Sequence, residues 1–285
     1  MRALDPRVTP ARADLAAKYL EGQVTAARYV EGHVLEVIEP QAPLRLEPRS
    51  DAPLATEALK GELVTIYDSN AEGWAWGQLK ADGYVGWLPA NALAPVGAPP
   101  THKVTALRTF AFPGPSIKLP PLEALPLGAT LAIARTADRL AVTQSGAYVP
   151  AAHLGPIGDS ELDFVAVAER FLGVPYLWGG KTALGLDCSG LVQVALAACG
   201  LSCPRDSDMQ EQALGMPVES VAGRTDFKRG DLLFWKGHVA IVIDGSKLLH
   251  ANAFHMAVAS EPIADAISRI RDTGSEVTSI RRMAR

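Results

Sequence analysis

The chain of 285 residues contains only three cysteines, at positions 188, 199 and 203, within 16 consecutive residues. So few cysteines argue against a disulfide framework. Cys199 and Cys203 could form half of a metal site, but no second pair of ligands stands at a matching spacing. We therefore expect neither a metal site nor a cofactor.

Long runs of one charge and long apolar runs are also missing. The formal net charge is −4, and without a basic face no nucleic-acid partner is expected. No run approaches the roughly 18 apolar residues of a membrane-spanning helix, so no membrane partner is expected. Charged residues interrupt the whole stretch from Met1 to Glu31, which leaves no core for a signal peptide. We expect a cytoplasmic protein and leave its oligomeric state open.

Length and patterning predict several domains. Apolar residues at helical spacing from Asp14 to Val30 indicate an N-terminal helical segment over residues 1–32. Short β-type runs with turns between them then predict a small barrel over 33–97. A degenerate second copy over 98–157 aligns Gly128 with Gly61. Residues 158–285 alternate helical and strand patterns, which predicts an α+β domain.

Three of the five tryptophans, at positions 74, 76 and 87, lie in the first barrel. Its sequence includes Gly73-Trp-Ala-Trp-Gly, Gly83-Tyr-Val-Gly-Trp-Leu-Pro and Asn91-Ala-Leu. These segments resemble the bacterial SH3-like domain of cell-wall proteins, and the resemblance is weaker in the second copy. Aromatic residues such as Trp74 and Tyr84 either fill the barrel core or form the exposed wall of a ligand groove.

Cys188 stands where a helix is expected to begin. Asp187 is suited to cap that helix, which we predict from Ser189 to Ala198 with Gly200 ending it. A thiol in the first turn faces free backbone N–H groups and the positive end of the helix dipole, so we expect it to favour the thiolate. The alternative is that Cys188 is a small buried apolar residue.

Two histidines provide candidate partners for this thiol. His238 opens a predicted strand, and His250 lies near the end of the next. If the turn pairs Ile243 with Lys247, His250 lies opposite Ala240 and diagonal to His238, on the same face of the sheet. A nucleophile, a base and a third group that orients the base could then meet.

Six segments of the last domain, in order, carry a more specific resemblance: Pro175-Tyr-Leu-Trp-Gly-Gly, Gly185-Leu-Asp-Cys-Ser-Gly-Leu, Pro204-Arg-Asp-Ser, Gly230-Asp-Leu-Leu-Phe-Trp, His238-Val-Ala-Ile-Val and Leu249-His-Ala. They look like the NlpC-type cysteine peptidases of bacterial cell walls. The resemblance implies two small SH3-like β-barrels followed by an α+β papain-like cysteine peptidase domain. It also implies that Cys188 is the nucleophile, His238 the base and His250 the orienting residue, with Tyr176 bordering the oxyanion.

The same resemblance implies a substrate. Such peptidases cleave peptidoglycan stem peptides between γ-D-glutamate and a diamino acid, and relatives with SH3-like domains require a free N-terminal L-alanine. Asp187 and Ser189 match residues that bind this amino group. Arg205 would pair with a substrate carboxylate or be a surface residue, and Tyr84 or Trp74 would wall the groove.

Two other functions compete with this interpretation. An acyltransferase on the same papain-like fold would pass the acyl group to an amine or lipid, for which paired barrels have no evident use. A non-catalytic peptidoglycan-binding module would be expected to have lost its thiol, yet Cys188, His238 and His250 are all present. We therefore expect a peptidase that releases L-Ala-γ-D-Glu from free murein peptides during wall recycling.

Overall fold

The computed structural model describes residues 4–218 and 226–283. Contacts within the chain divide it into two units, of which one ends at Asp159 and the other begins at Ser160. Over the described ranges the first unit is built from strands and short 3₁₀ turns, whereas the second combines helices with a sheet.

The predicted N-terminal helix does not form. This segment contains the paired two-residue strands β1 (Ala16–Ala17) and β2 (Tyr29–Val30), with a 3₁₀ turn at Lys18–Leu20. Leu15 is fully buried against Trp76 and Val85 of the first sheet. Tertiary packing of this extended segment therefore prevails over its helical spacing of apolar residues.

A seven-stranded sheet follows, in the order β5-β4-β8-β7-β6-β3-β9. Its strands are β3 (His33–Val37), β4 (Gln41–Arg45), β5 (Leu54–Leu59), β6 (Leu63–Ser69), β7 (Trp74–Leu79), β8 (Val85–Pro89) and β9 (Leu93–Pro95). Alternate side chains such as Leu44, Val64 and Leu88 are fully buried and form its core. A 3₁₀ turn at Ala90–Ala92 joins β8 to β9.

Three smaller sheets make up the rest of the first unit, in the orders β13-β10-β17, β11-β12 and β14-β15-β16. Their strands are β10 (His102–Val104), β11 (Arg108–Ala111), β12 (Glu123–Pro126), β13 (Thr130–Leu131), β14 (Ile133–Ala137), β15 (Leu140–Thr143), β16 (Tyr148–Pro150) and β17 (Leu154–Pro156). Leu125 and Val149 are fully buried in a common core.

The second unit contains four helices and eight strands within the described residues. They are α1 (Phe164–Glu169), β18 (Lys181–Thr182), β19 (Gly185–Leu186), α2 (Cys188–Ala198), α3 (Ser207–Ala213), β20 (Met216–Pro217), β21 (Asp231–Trp235), β22 (His238–Val242), β23 (Lys247–Asn252), β24 (Ala257–Pro262), α4 (Ile263–Asp272) and β25 (Val277–Arg282).

One six-stranded sheet organises this unit, in the order β20-β25-β21-β22-β23-β24. Helix α2 packs against β22 and β23, while Ile263 and Ala266 of α4 pack with Ala240 and Val242 of β22. The sheet thus supports the start of α2 and brings the first residue of β22 close to it.

Candidate active site

Cys188 is the first residue of α2, as the sequence predicts. Asp187 caps the helix, and its Oδ1 accepts a hydrogen bond from the Gly190 backbone N–H at 2.7 Å. The thiol is buried, with 7% of the residue exposed, and the nearby backbone N–H of Val239 acts to lower its pKa. Helix α2 thus begins beside strand β22.

The expected thiolate is not favoured in this resting structure. Burial raises the pKa of Cys188 to about 12, and the negative charge of Asp187 adds to the rise. The Val239 N–H and the positive charge of Arg205 act in the opposite direction but do not compensate. The position of Cys188 in the helix was predicted correctly, whereas the preference for its thiolate was wrong, because desolvation penalises the charged form.

The two histidines meet as the strand register predicts. Ile241 lies opposite Leu249 and Val242 opposite Leu248, which extends to Ala240 opposite His250. His238 Nε2 and His250 Nδ1 are 2.8 Å apart, within hydrogen-bonding distance. The ring of His238 also lies 5.6 Å from that of Trp235, centre to centre. Packing and hydrogen bonding together fix the orientation of the His238 ring.

Glu261 extends this chain of contacts, and sequence reasoning missed it. Its Oε1 lies 2.7 Å from His250 Nε2, and the Arg269 guanidinium forms an ion pair with the same oxygen. Glu261 is the last residue but one of β24. Continuing the alternation of side chains one strand beyond His250 could have found it.

Both imidazoles are held in the neutral form. Burial, assisted by the neighbouring His250 and the positive charge of Arg269, lowers the pKa of His238 to about 3. Burial likewise lowers the pKa of His250 to about 3, assisted by Arg269 and His255. At neutral pH the site therefore holds a neutral imidazole, the form that accepts a proton, next to a protonated thiol.

Asp187 also anchors a buried ion pair. Arg205 Nη1 and Nη2 donate to Asp187 Oδ1 and Oδ2 at 2.9 and 2.8 Å. Nη1 also donates to Ser189 Oγ at 2.9 Å and Nη2 to the Gly180 carbonyl at 3.3 Å. Only 1% of Arg205 is exposed, so it is neither a surface residue nor presented to a substrate carboxylate. Both expectations for Arg205 are thus corrected, because its guanidinium is directed inward to Asp187.

Tyr176 lies on the segment that precedes the cysteine loop. Its backbone N–H donates to the Met256 carbonyl at 2.9 Å, and it forms a parallel bridge with Leu186. Burial raises its pKa to about 12, and interactions with Cys188 and Asp187 contribute. The phenol therefore remains protonated, and thus a hydrogen-bond donor, across the neutral range.

Comparisons with known proteins identify two domains in the chain. Residues 44–93 match the bacterial dipeptidyl-peptidase SH3 domain, and residues 173–274 match the NlpC/P60 family. The chain carries a bacterial SH3 domain followed by an NlpC/P60 domain. The site residues described above, from Tyr176 to Arg269, all fall within the NlpC/P60 match.

Two curated relatives illustrate the similarity. A γ-D-glutamyl-L-lysine dipeptidyl-peptidase of Bacillus subtilis (strain 168) is 41% identical over 98 residues, which cover 31% of this chain and 31% of that protein. The protein of the same name from Bacillus cereus (strain ATCC 10987 / NRS 248) is 27% identical over 250 residues, and the match covers 74% of this chain and 71% of that protein. The longer match spans parts of both the SH3 and the NlpC/P60 domain.

A solved structure resembles most of the chain. The crystal structure of an NlpC/P60 family protein from Bacillus cereus ATCC 10987 superposes with a TM-score of 0.74 and 21% identity. It covers 88% of this chain and 99% of the solved chain. At this identity the likeness establishes the fold alone.

The two aromatic candidates of the SH3 domain have different surroundings. Tyr84 is 5% exposed and packs in the core of the first sheet, so its expected role as an exposed groove wall is wrong. Trp74 is half-buried on β7, and its backbone N–H donates to Asn70 Oδ1 at 2.9 Å. Of the two, only Trp74 keeps surface that a ligand could contact.

One group of possible metal ligands overlaps the histidine chain of the NlpC/P60 domain. His250, His255 and Glu261 offer ligand atoms within 4.8 Å of one another. However, His250 and Glu261 are already hydrogen-bonded to each other, and Arg269 pairs with Glu261. These contacts favour a hydrogen-bonded chain at this position.

No helix in the described part of the chain is long and apolar enough to cross a membrane.

Proposed function

We propose that this protein is a cysteine peptidase that hydrolyses peptidoglycan stem peptides at the bond between γ-D-glutamate and a diamino acid. The names of the curated relatives support this class of substrate. The observation that carries the proposal is that Cys188 begins helix α2 beside β22, whose first residue, His238, is within hydrogen-bonding distance of His250 at 2.8 Å. Those three residues are the nucleophile, the base and the orienting group.

The neutral His238 imidazole and the protonated Cys188 thiol define how the reaction starts. His238 accepts the thiol proton as the Cys188 sulfur attacks the γ-glutamyl carbonyl, so proton transfer and C–S bond formation are coupled. The backbone N–H of Cys188 and the Tyr176 hydroxyl stabilise the oxyanion. The C–N bond then breaks, and the imidazolium returns its proton to the leaving amine of the diamino acid.

Water completes the reaction. It attacks the resulting thioester while His238 takes one of its protons, and the C–S bond breaks to release the new carboxylate. The proton returns to the sulfur, which restores the thiol. The elevated pKa of Cys188 assists this last step, because a strongly basic sulfur is readily protonated once expelled.

We further propose that the substrate presents a free L-alanine amino group to Asp187 and Ser189. The Asp187 carboxylate already accepts five hydrogen bonds, and the longest comes from Ser189 Oγ at 3.3 Å. Because an ionised carboxylate has about four acceptor sites, an ammonium group would replace the Ser189 contact. Trp74 is the remaining candidate for a substrate contact from the SH3 domain.

We propose a second SH3-like barrel for residues 98–157 and a papain-like arrangement for the last domain. Strand pairing supports the repeat. In the first copy β3 pairs with β6 and β9, and in the second β10 pairs with β13 and β17. Each copy also ends in strand, 3₁₀ turn and strand, with turns at Ala90–Ala92 and Ala151–His153. For the last domain, support comes from helix α2 packed against the sheet with its cysteine beside β22.

We also propose that the protein acts in the cytoplasm, on free wall peptides during recycling. Cell fractionation tests it, and recovery with exported proteins would contradict it.

A peptide assay tests the proposed activity. Purified protein is given L-Ala-γ-D-Glu-L-Lys, the analogue with meso-diaminopimelate, and intact sacculi, and products are identified by mass spectrometry. We expect the dipeptide L-Ala-γ-D-Glu from a free peptide. Transfer of the dipeptide to an added amine in preference to water would indicate an acyltransferase, and no turnover of any of these would contradict the proposal.

Blocking the amino group tests the substrate contact. Acetylation of the alanine nitrogen removes its charge, which should lower kcat/KM about 10- to 100-fold, as expected for a lost hydrogen bond to a charged group. Acetylation of the lysine side chain is the matched control. Equal losses in the two peptides would argue against an amino-group site at Asp187.

A further inference from the structure

Three neighbouring strands of the NlpC/P60 domain align polar side chains on one face of the sheet. His250 lies opposite Ala259 in β24, and Glu261 follows two residues later, so it is the diagonal neighbour of His250. His238 is the diagonal neighbour on the other side, in β22. The resulting path runs from His238 Nε2 to His250 Nδ1 at 2.8 Å, and from His250 Nε2 to Glu261 Oε1 at 2.7 Å.

Arg269 of α4 fixes the outer end of this path. Its guanidinium pairs with Glu261 Oε1 and lies 4.3 Å from the centre of the Phe254 ring. The Glu261 side chain is only 12% exposed. A carboxylate paired with arginine in such a site is ionised, and an ionised carboxylate can only accept hydrogen bonds.

The direction of every hydrogen bond then follows. Because Glu261 accepts, His250 Nε2 must carry a hydrogen and donate it. A neutral imidazole holds one N–H, so His250 Nδ1 is an acceptor and His238 Nε2 must be the donor to it. His238 Nδ1 is therefore left without a hydrogen and is free to accept one.

We propose that Glu261, held by Arg269, is a positioning residue that sets the tautomers of His250 and His238 and makes His238 Nδ1 the base. This inference deepens the proposed peptidase activity and rests on it. Glu261 touches neither the substrate nor the sulfur and acts through His250. When His238 becomes an imidazolium, the carboxylate two hydrogen bonds away also stabilises the new charge.

Kinetics separate this role from a purely structural one. Glu261→Ala should lower kcat about 100-fold, the usual scale of acid–base assistance, with little change in KM. In Glu261→Gln, kcat should fall less, about 10-fold. The amide oxygen can take the place of Oε1 opposite Arg269, so the tautomers of both histidines are kept although the negative charge is lost. The kcat of Arg269→Gln should lie between those of the wild type and Glu261→Ala.

Matched controls come from the same domain. Glu169 is a carboxylate that pairs with Arg229, and Arg271 lies on α4 with a hydrogen bond to Ser268. Glu169→Ala and Arg271→Gln should retain wild-type kcat. A kcat of Glu261→Ala within about twofold of the wild type, or a loss confined to KM, would overturn the proposal.

Nitrogen NMR measures the tautomers without any substrate. In ¹⁵N-labelled wild-type protein at neutral pH, long-range ¹H–¹⁵N correlations should find the hydrogen on Nε2 of both His238 and His250. Glu261→Ala should shift His250 toward a mixture, whereas Glu169→Ala should not. A hydrogen on Nδ1 of His250 in the wild type would overturn the inference. If the wild type cleaves no wall peptide, the proposed function fails, yet this spectrum still decides the tautomers.

Discussion

The ion pair of Arg205 and Asp187 leads to a quantitative prediction for stability. Arg205 is 1% exposed and donates four hydrogen bonds, two of them to Asp187. Arg205→Met removes all four and leaves the Asp187 carboxylate, whose side chain is 10% exposed, without its cation. Removing one partner of a buried pair costs about 3–5 kcal/mol, and we expect a loss of this size in the C-terminal unit.

Removing the second charge should restore part of the loss. In Asp187→Asn with Arg205→Met no unpaired charge remains buried, so the double variant should lose less stability than Arg205→Met alone. Arg229→Met serves as the control, because its partners Asp163 and Glu169 are about 40% exposed and exposed pairs contribute at most about 1 kcal/mol.

Native-state hydrogen exchange followed by mass spectrometry is the appropriate assay. Peptides from α2 and from β21 to β23 report the opening free energy of the C-terminal unit separately from the SH3 unit. A loss below about 1 kcal/mol in Arg205→Met would refute the reasoning. An equal loss of opening free energy in the double variant and in Arg205→Met alone would also refute it.

Two further predictions concern the thiol and the repeat. Because burial raises the pKa of Cys188 to about 12, ultraviolet difference spectra against Cys188→Ala should lack thiolate absorbance at neutral pH, and the absorbance should grow only as the pH approaches that value. A full thiolate signal at neutral pH would mean that a thiolate–imidazolium pair preexists. Gly61→Ala should destabilise the SH3 unit more than Gly73→Ala. Both have positive φ (+83° and +85°), but a Cβ at Gly61 would lie 2.0 Å from Thr130 Oγ1 whereas one at Gly73 meets nothing within 4 Å. Equal losses of opening free energy in Gly61→Ala and Gly73→Ala, measured by hydrogen exchange, would contradict this explanation.

Local patterns in the sequence predicted much of the site. Alternation along β22 and the tight turn before Lys247 determine the register between His238 and His250, and both signals are local. Capping chemistry at Asp187 likewise located the start of α2 and hence Cys188. These features depend on residues close together in the chain, so the printed sequence contains them.

Other features depend on contacts between distant residues. Leu15 belongs to an extended segment because the first sheet buries it, although its spacing is helical. Arg205 is buried because Asp187 lies opposite it, and nothing near position 205 indicates this. Glu261 was missed because its contact with His250 depends on the pairing of β24 with β23, one strand beyond the predicted hairpin. The expected thiolate failed for the same reason, since burial cannot be inferred from helix position alone.

The central claim is that the Cys188 sulfur attacks the γ-glutamyl carbonyl with His238 as its base. It is tested most directly by comparing wild-type protein with Cys188→Ala on L-Ala-γ-D-Glu-L-Lys, with circular dichroism to establish that the variant is folded. We predict hydrolysis by the wild type and none above background by the folded variant. Turnover by folded Cys188→Ala at the wild-type rate would contradict the account.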